Sequence, residues 1–228
     1  MFGIDYYYIV LVLPAVILSL LAQVLVKSTF SKYSRIRCSR QVTGRDAAAL
    51  LMRKNNIRDV SIEQTGGSLT DHYDPGKKKL RLSVPVYDQP SIAAVGVAAH
   101  EAGHAIQHAL GYGPLALRSS LVPVANIGSS IGPWIAIAGI FFSIPFLINI
   151  GIVLFGGAVL FYLITLPVEF NASNRAIQLL KSENVLTADE LQGVRKVLTA
   201  AAMTYVASAL TALMSLLRLV LLSRGRRR

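Results

Sequence analysis

His100-Glu101-Ala102-Gly103-His104-Ala105-Ile106-Gln107-His108 is the stretch on which the reading of this 228-residue chain turns. On an α-helix, residues i and i+4 share one face, one turn apart. His100 and His104 therefore present two imidazoles to one metal ion. Glu101 follows the first of them, and its carboxylate reaches a water on the open side of that ion. Zinc acidifies such a water and the carboxylate takes its proton, the chemistry of zinc-protease helices. With four His and five Glu in the chain, chance gives this spacing about 0.002 times, treated as an ungapped pattern.

The flanks fit a helix. Pro90-Ser91 offers an N-cap and Gly111 a stop, with the small apolar run Ile92–Ala99 between them. His108 is not a third ligand of the same ion. Eight residues of helix separate it from His100 by about 12 Å, whereas zinc–nitrogen bonds are about 2 Å. A metzincin would carry His at position 110, which is Leu110.

The chain is 53% hydrophobic and only 15% charged, too apolar for an ordinary soluble domain. The uncharged runs predict about four membrane helices. The plan is a first span at 6–26, a catalytic region at 27–120, a membrane hairpin at 121–168 turning near Ser143–Asn149, and a helical region at 169–197. A transmembrane or interfacial helix at 198–223 and a basic tail at 224–228 follow. The first run has no basic residue before it and is long for a signal peptide, so it reads as a retained anchor.

A net charge of +11 here reports membrane orientation. Lys27, Lys32, Arg35, Arg37, Arg40 and Arg45 follow the first span directly, which places that loop in the cytoplasm by the positive-inside rule. No recognition motif accompanies the basic residues, so nucleic-acid binding is not expected. Attraction to anionic headgroups is. Four complete spans would put the basic tail outside, against the same rule; an interfacial last helix would avoid this. Cys38 stands alone, which excludes an internal disulfide, and a buried thiol is the simpler expectation than lipidation.

In the catalytic region, Thr43-Gly-Arg-Asp46 looks like a capping box opening a helix through Asn55. Val60–Gln64 alternates as a strand, and Leu69–Asp74 with Lys79–Val84 reads as a hairpin around Pro75-Gly76. Thr187-x-x-Glu190 caps a helix entering the last apolar segment.

A catalytic zinc has three protein ligands as a rule. The next acidic residue after Glu101 is Glu169, placed where the third apolar segment ends. A carboxylate there is costly unless paired or used. Asn171, Ser173 and Asn174 beside it offer polar groups to orient the ligands.

Four blocks carry a family resemblance: Leu69-Thr-Asp-His-Tyr-Asp-Pro75, Leu80-Arg-Leu-Ser83, Ala98–Gln107 and Leu166–Ala176. The chain resembles the YugP-like neutral zinc metallopeptidases, membrane relatives of the HtpX and CAAX prenyl protease group. The resemblance extends over nearly the whole chain. It implies an α+β membrane protein with a gluzincin-type zinc protease domain: a small β-sheet and the His-Glu-x-x-His helix, built across the membrane helices. It also implies a third ligand, a Glu on a helix after a membrane hairpin, a position that Glu169 holds. Relatives often carry Asp four residues after that Glu to orient a zinc-binding His. Here the residue is Ser173, a neutral hydroxyl, which makes the imidazole a less basic ligand.

The expected activity is hydrolysis of protein or peptide substrates near the bilayer. One Zn²⁺ per chain is held by His100, His104 and Glu169, with Glu101 as base. The expected location is the cell membrane, multi-pass, with the site on the cytoplasmic side. His72, Tyr73, His108 and Arg175 are candidate donors to the transition state, and one strand before the zinc helix is a candidate partner for an extended substrate. The alternative is a zinc-stabilised membrane scaffold or quality-control binder without turnover; the intact Glu101 speaks against it. No motif states the substrate sequence or the oligomeric state.

Overall fold

The computed structural model describes residues 5–225. Met1–Ile4 and Arg226–Arg228, the last residues of the basic tail, lie outside them. Among the described residues the fold is mostly helical, with one three-stranded sheet and four helical stretches long and apolar enough to cross a membrane. The helices are α1 (Leu13–Ser34, entered by a π-helical turn at Tyr8–Val12), α2 (Gly44–Lys54), α3 (Val84–Tyr87) and α4 (Ile92–Ala109). After them come α5 (Gly113–Ser130), α6 (Gly132–Phe142), α7 (Pro145–Ser182) and α8 (Ala188–Gly225). The strands are β1 (Ser61–Thr65), β2 (His72–Asp74) and β3 (Lys79–Ser83).

The chain divides into two compact units. One takes the residues up to Gln23, Ala116–Pro167 and those from Met203 on. Its helices approach closely at glycine. A Cβ on Gly128 would lie 2.2 Å from the Leu154 carbonyl oxygen, and one on Gly151 2.3 Å from the Ala136 nitrogen. Large apolar side chains such as Trp134, Phe146 and Val153 face outward, as lipid-facing residues do. The hairpin turn is tighter than expected: α6 stops at Phe142, Ser143 takes a left-handed conformation (φ 58°) and α7 begins at Pro145. Serine there bends the chain at once, and proline suits the first turn of the helix that follows.

α1 and α8 run antiparallel. Ser19 Oγ meets Thr211 Oγ1 at 3.0 Å, and Arg218 Nε donates to Asp5 Oδ2 at 2.9 Å. The Arg218 guanidinium also covers the Tyr8 ring at 5.3 Å. A charge that interrupts an apolar helix is thereby neutralised.

The other unit takes Val24–Leu115 and Val168–Ala202. Its core is formed by α2, α4 and the inner face of the sheet, with Leu51, Leu80, Leu82, Val86, Val95 and Ile106 fully buried. α2 starts as its capping residues predict: Thr43 Oγ1 accepts from Asp46 N at 3.2 Å and donates to Asp46 Oδ2 at 2.7 Å. Gly44 is required at that entry, because a Cβ would lie 2.3 Å from the Val86 carbonyl oxygen. Ser91 caps α4 by accepting from Ala94 N at 3.2 Å, and Gly111 (φ 62°) follows its end.

The sheet order is β1-β3-β2, with β1 parallel and β2 antiparallel to β3. β2 is shorter than the expected Leu69–Asp74, because Gly67 and Leu69 both have positive φ and turn the chain before His72. Asp71 anchors the hairpin: its Oδ1 accepts from Ser83 N at 2.7 Å and its Oδ2 from Ser83 Oγ at 2.8 Å. Burial outweighs those bonds and pushes the Asp71 carboxyl pKa up. At the head of α8, Thr187 N donates to Glu190 Oε2 at 2.8 Å and Glu190 N to Thr187 Oγ1 at 3.4 Å, a reciprocal capping box. Cys38 is fully buried, its thiol directed at the Val42 and Pro90 carbonyls.

Candidate metal centre

α4 and the second half of α7 meet through small residues. Gly103 faces Ala172 so closely that a Cβ would stand 2.8 Å from the Ala172 carbonyl oxygen. That approach brings His100 and His104 on one helix to Glu169 on the other. Their ligand atoms all lie within 4.8 Å of one another. His100 Nε2 is 3.2 Å and His104 Nε2 3.6 Å from Glu169 Oε2. Two zinc bonds of about 2.0–2.1 Å at a tetrahedral angle put their donor atoms roughly 3.3–3.4 Å apart. The donor set and its spacing fit a zinc ion with an open fourth position.

Burial sharpens the chemistry. Glu169 is 2% exposed and Glu101 8%. Burial disfavours the charged imidazole of His104, but the carboxylates of Glu169 and Glu101 outweigh it and raise its pKa. Glu101 is mostly buried as a residue, and its charge acts on His104.

Both histidines are held by their other ring nitrogen. His100 Nδ1 lies 3.1 Å from Ser173 Oγ, and His104 Nδ1 lies 2.9 Å from Gln107 Oε1. Ser173 is among the residues expected to orient a ligand; Gln107 is not. Its signal was its position three residues after His104, on the same helix face.

The remaining candidates separate. Arg175 Nε donates to Asn171 Oδ1 at 2.7 Å, so it braces α7. Asn174 is exposed. His72 is paired in register with Arg81, between the buried Leu80 and Leu82. It therefore points to the outer face of the sheet, with Nδ1 2.9 Å from the Thr70 carbonyl and Nε2 3.2 Å from Arg81. The period of two along β2 turns His72 away from α4 and Tyr73 toward it. Tyr73 Oη lies 2.8 Å from His108 Nδ1. Beside this pair is a cavity of about 350 Å³, lined by Ile57, Val60, Ala105 and Ala109, with the Asp59–Lys78 ion pair at its rim.

With this geometry in view, comparison with known proteins is decisive. The family described as "Putative neutral zinc metallopeptidase" matches residues 8–224. The chain belongs to that family. It is also 48% identical over 215 residues to "Putative membrane protease YugP" of Bacillus subtilis (strain 168), covering 94% of this chain and 96% of the relative. No solved structure matches. The family name implies zinc, and among the described residues the one cluster suited to it is His100, His104 and Glu169. The relative's membrane character agrees with the four apolar helices, and the chain is a membrane protein.

Proposed function

We propose that the protein is an integral-membrane zinc endopeptidase of gluzincin type that cleaves protein or peptide substrates close to the bilayer. Residues 6–26, 121–168 and 198–223 form its membrane part, and the site at 27–120 and 169–197 faces the cytoplasm. The basic residues after α1 support that orientation. The antiparallel pairing of α1 with α8 supports a last helix that crosses fully rather than lying in the interface.

The reading rests on one observation above the others: three donor atoms within 4.8 Å of one another, Glu169 Oε2 at 3.2 and 3.6 Å from the two imidazoles, beside a mostly buried Glu101. His100 Nε2, His104 Nε2 and one Glu169 oxygen hold a single ion. Zinc bound there supplies Lewis acidity, polarising the scissile carbonyl and lowering the pKa of a water. Glu101 accepts the proton of the attacking water on its carboxylate and then delivers it to the departing amine nitrogen. Glu169 and Glu101 are little exposed, so water screens their charges less and they act more strongly on the site. The Tyr73–His108 pair and the cavity beside it, bordered by Ala105, His108 and Ala109 of α4, support a place for the substrate chain along α4.

Zinc per chain in detergent-purified protein is the first test, beside His104→Ala and Glu169→Ala. About one zinc, lost in both folded variants, supports the ligand set. Retention by Glu169→Ala moves the third ligand elsewhere. Cleavage of a mixed peptide library by the zinc-loaded protein, absent in Glu101→Gln, supports turnover. Zinc without cleavage favours the scaffold.

A further inference from the structure

We infer that Gln107 is a positioning residue that locks His104 in its Nδ1–H form, within a chain of amides ending at Arg175. The inference rests on the metal-site reading above and adds to it the means by which one ligand is presented.

The donors and acceptors admit a single assignment. Arg175 Nε lies 2.7 Å from the Asn171 side chain, and a guanidinium only donates. The atom facing it is therefore the amide oxygen, Asn171 Oδ1. That oxygen lies 3.0 Å from the Gln107 amide, and the Val168 carbonyl oxygen lies 2.9 Å from the same Gln107 atom. Two acceptors demand a donor, so this atom is Nε2, and its two hydrogens are both used. Gln107 Oε1 is left facing His104 Nδ1 at 2.9 Å. An oxygen without a proton can only accept, so Nδ1 carries the hydrogen, and in the neutral ring the lone pair is left on Nε2, on the side of Glu169.

Packing makes the assignment hard to escape. Gln107 is fully buried, and a buried amide turned the wrong way would set the Val168 and Asn171 oxygens against its own oxygen. His100 differs. Its Nδ1 faces Ser173 Oγ, and a hydroxyl accepts or donates as required. The two histidines are thus held unequally: His104 rigidly by a neutral amide, His100 by an adaptable hydroxyl. Neither partner is a carboxylate, so neither ring gains the added basicity that a carboxylate partner gives.

Gln107 also spans the site. The Val168 carbonyl to which it donates belongs to the residue before Glu169, so one side chain touches His104 and the backbone beside the third ligand.

The test uses the full chain in detergent micelles with ¹⁵N-labelled histidine. Long-range ¹H–¹⁵N correlation reads each ring's tautomer in zinc-loaded protein, and in metal-free protein at alkaline pH. His104 is expected with hydrogen on Nδ1 in both, and zinc Kd is expected to rise about 10–100-fold in Gln107→Leu. A cobalt-substituted sample should show altered visible bands in that variant. Asn171→Leu should loosen the same ring, whereas Asn171→Asp, which keeps an oxygen toward Arg175 and Gln107, should restore the wild-type tautomer and spectrum. A merely structural role would not distinguish those two substitutions, and the pair decides the matter if Gln107→Leu does not fold. Hydrogen on His104 Nε2 with none on Nδ1 in metal-free protein, or zinc Kd unchanged in folded Gln107→Leu, overturns the inference. Failure to bind zinc with the Nδ1–H form intact would instead overturn the metal reading and leave the amide chain standing.

Discussion

Gly103 and Ala172 touch backbone to backbone: a Cβ on Gly103 would stand 2.8 Å from the Ala172 carbonyl oxygen. Gly103 precedes His104, and Ala172 lies three residues after Glu169. This contact sets how near the two ligand-bearing helices come. Gly103→Ala cannot be absorbed by a side-chain rotation, since the obstacle is a carbonyl in a helix. It should cost about 1–3 kcal/mol of stability and lower zinc occupancy. Gly96→Ala makes a control, because it meets only Val194 methyl groups, 3.1 Å away, and should cost less. Thermal unfolding and zinc content of the two variants check this; equal losses would remove the special status of Gly103.

Zinc should stabilise the fold. A ligand that binds only the native state at 100 times its Kd adds about 2.7 kcal/mol. Chelation should therefore lower Tm, and readdition of zinc should restore it. His104→Ala and Glu169→Ala should show no zinc-dependent shift. A shift retained in Glu169→Ala would place the third donor elsewhere.

Glu101 is expected to matter for turnover rather than for metal. Glu101→Gln keeps size and removes the base, so zinc content and Tm should stay near wild type. Peptide cleavage should fall at least about 100-fold, the low end for loss of a general base. Loss of zinc in this variant would assign Glu101 a ligand role instead.

The Asp71 anchor predicts a pH effect of definite sign. Its folded-state pKa is raised by burial, so the protonated form favours the fold below the unfolded-state pKa of about 3.9. That advantage is lost as pH rises through the folded value. Asp71→Asn still offers Ser83 an acceptor without charge. Its Tm relative to wild type should climb as pH rises above about 4. Asp71→Ala should cost about 1–3 kcal/mol, by leaving the buried Ser83 N–H without its partner. A relative Tm of Asp71→Asn that falls with pH would reverse the sign.

The cavity beside α4 gives a substrate-side prediction. Ala109 is exposed and lines it, so Ala109→Trp should fill it without disturbing the core. If the substrate chain lies along α4, kcat/KM for a mixed peptide library should fall while zinc content is unchanged. Equal cleavage by both proteins would remove the cavity from the substrate path.

Local signals carried far in this sequence. Thr43, Ser91 and the Thr187–Glu190 pair start helices where their capping chemistry says they should, because a cap is satisfied within one turn of chain. The apolar runs predicted four long helices for the same reason: length and hydropathy are local properties. Leu69 defeated the strand expectation because a left-handed residue is indistinguishable, by composition, from the start of an alternating run. The parallel pairing of β1 with β3 left no mark either, since partner choice depends on the turns and faces of other strands.

By itself the sequence determined the spacing of His100, Glu101 and His104 on one helix face, the membrane class of the chain, and a carboxylate waiting at the end of an apolar run. Helical and strand periodicity are properties of neighbouring residues, and they write themselves into order and composition. Only the tertiary structure decided that Glu169 reaches both imidazoles, that Gln107 faces His104 and that His72 turns away while Tyr73 turns in. Those outcomes depend on how closely two helices pack and which face of a strand meets them. They are fixed by volumes and hydrogen bonds between residues far apart in the chain, a balance that no local pattern encodes.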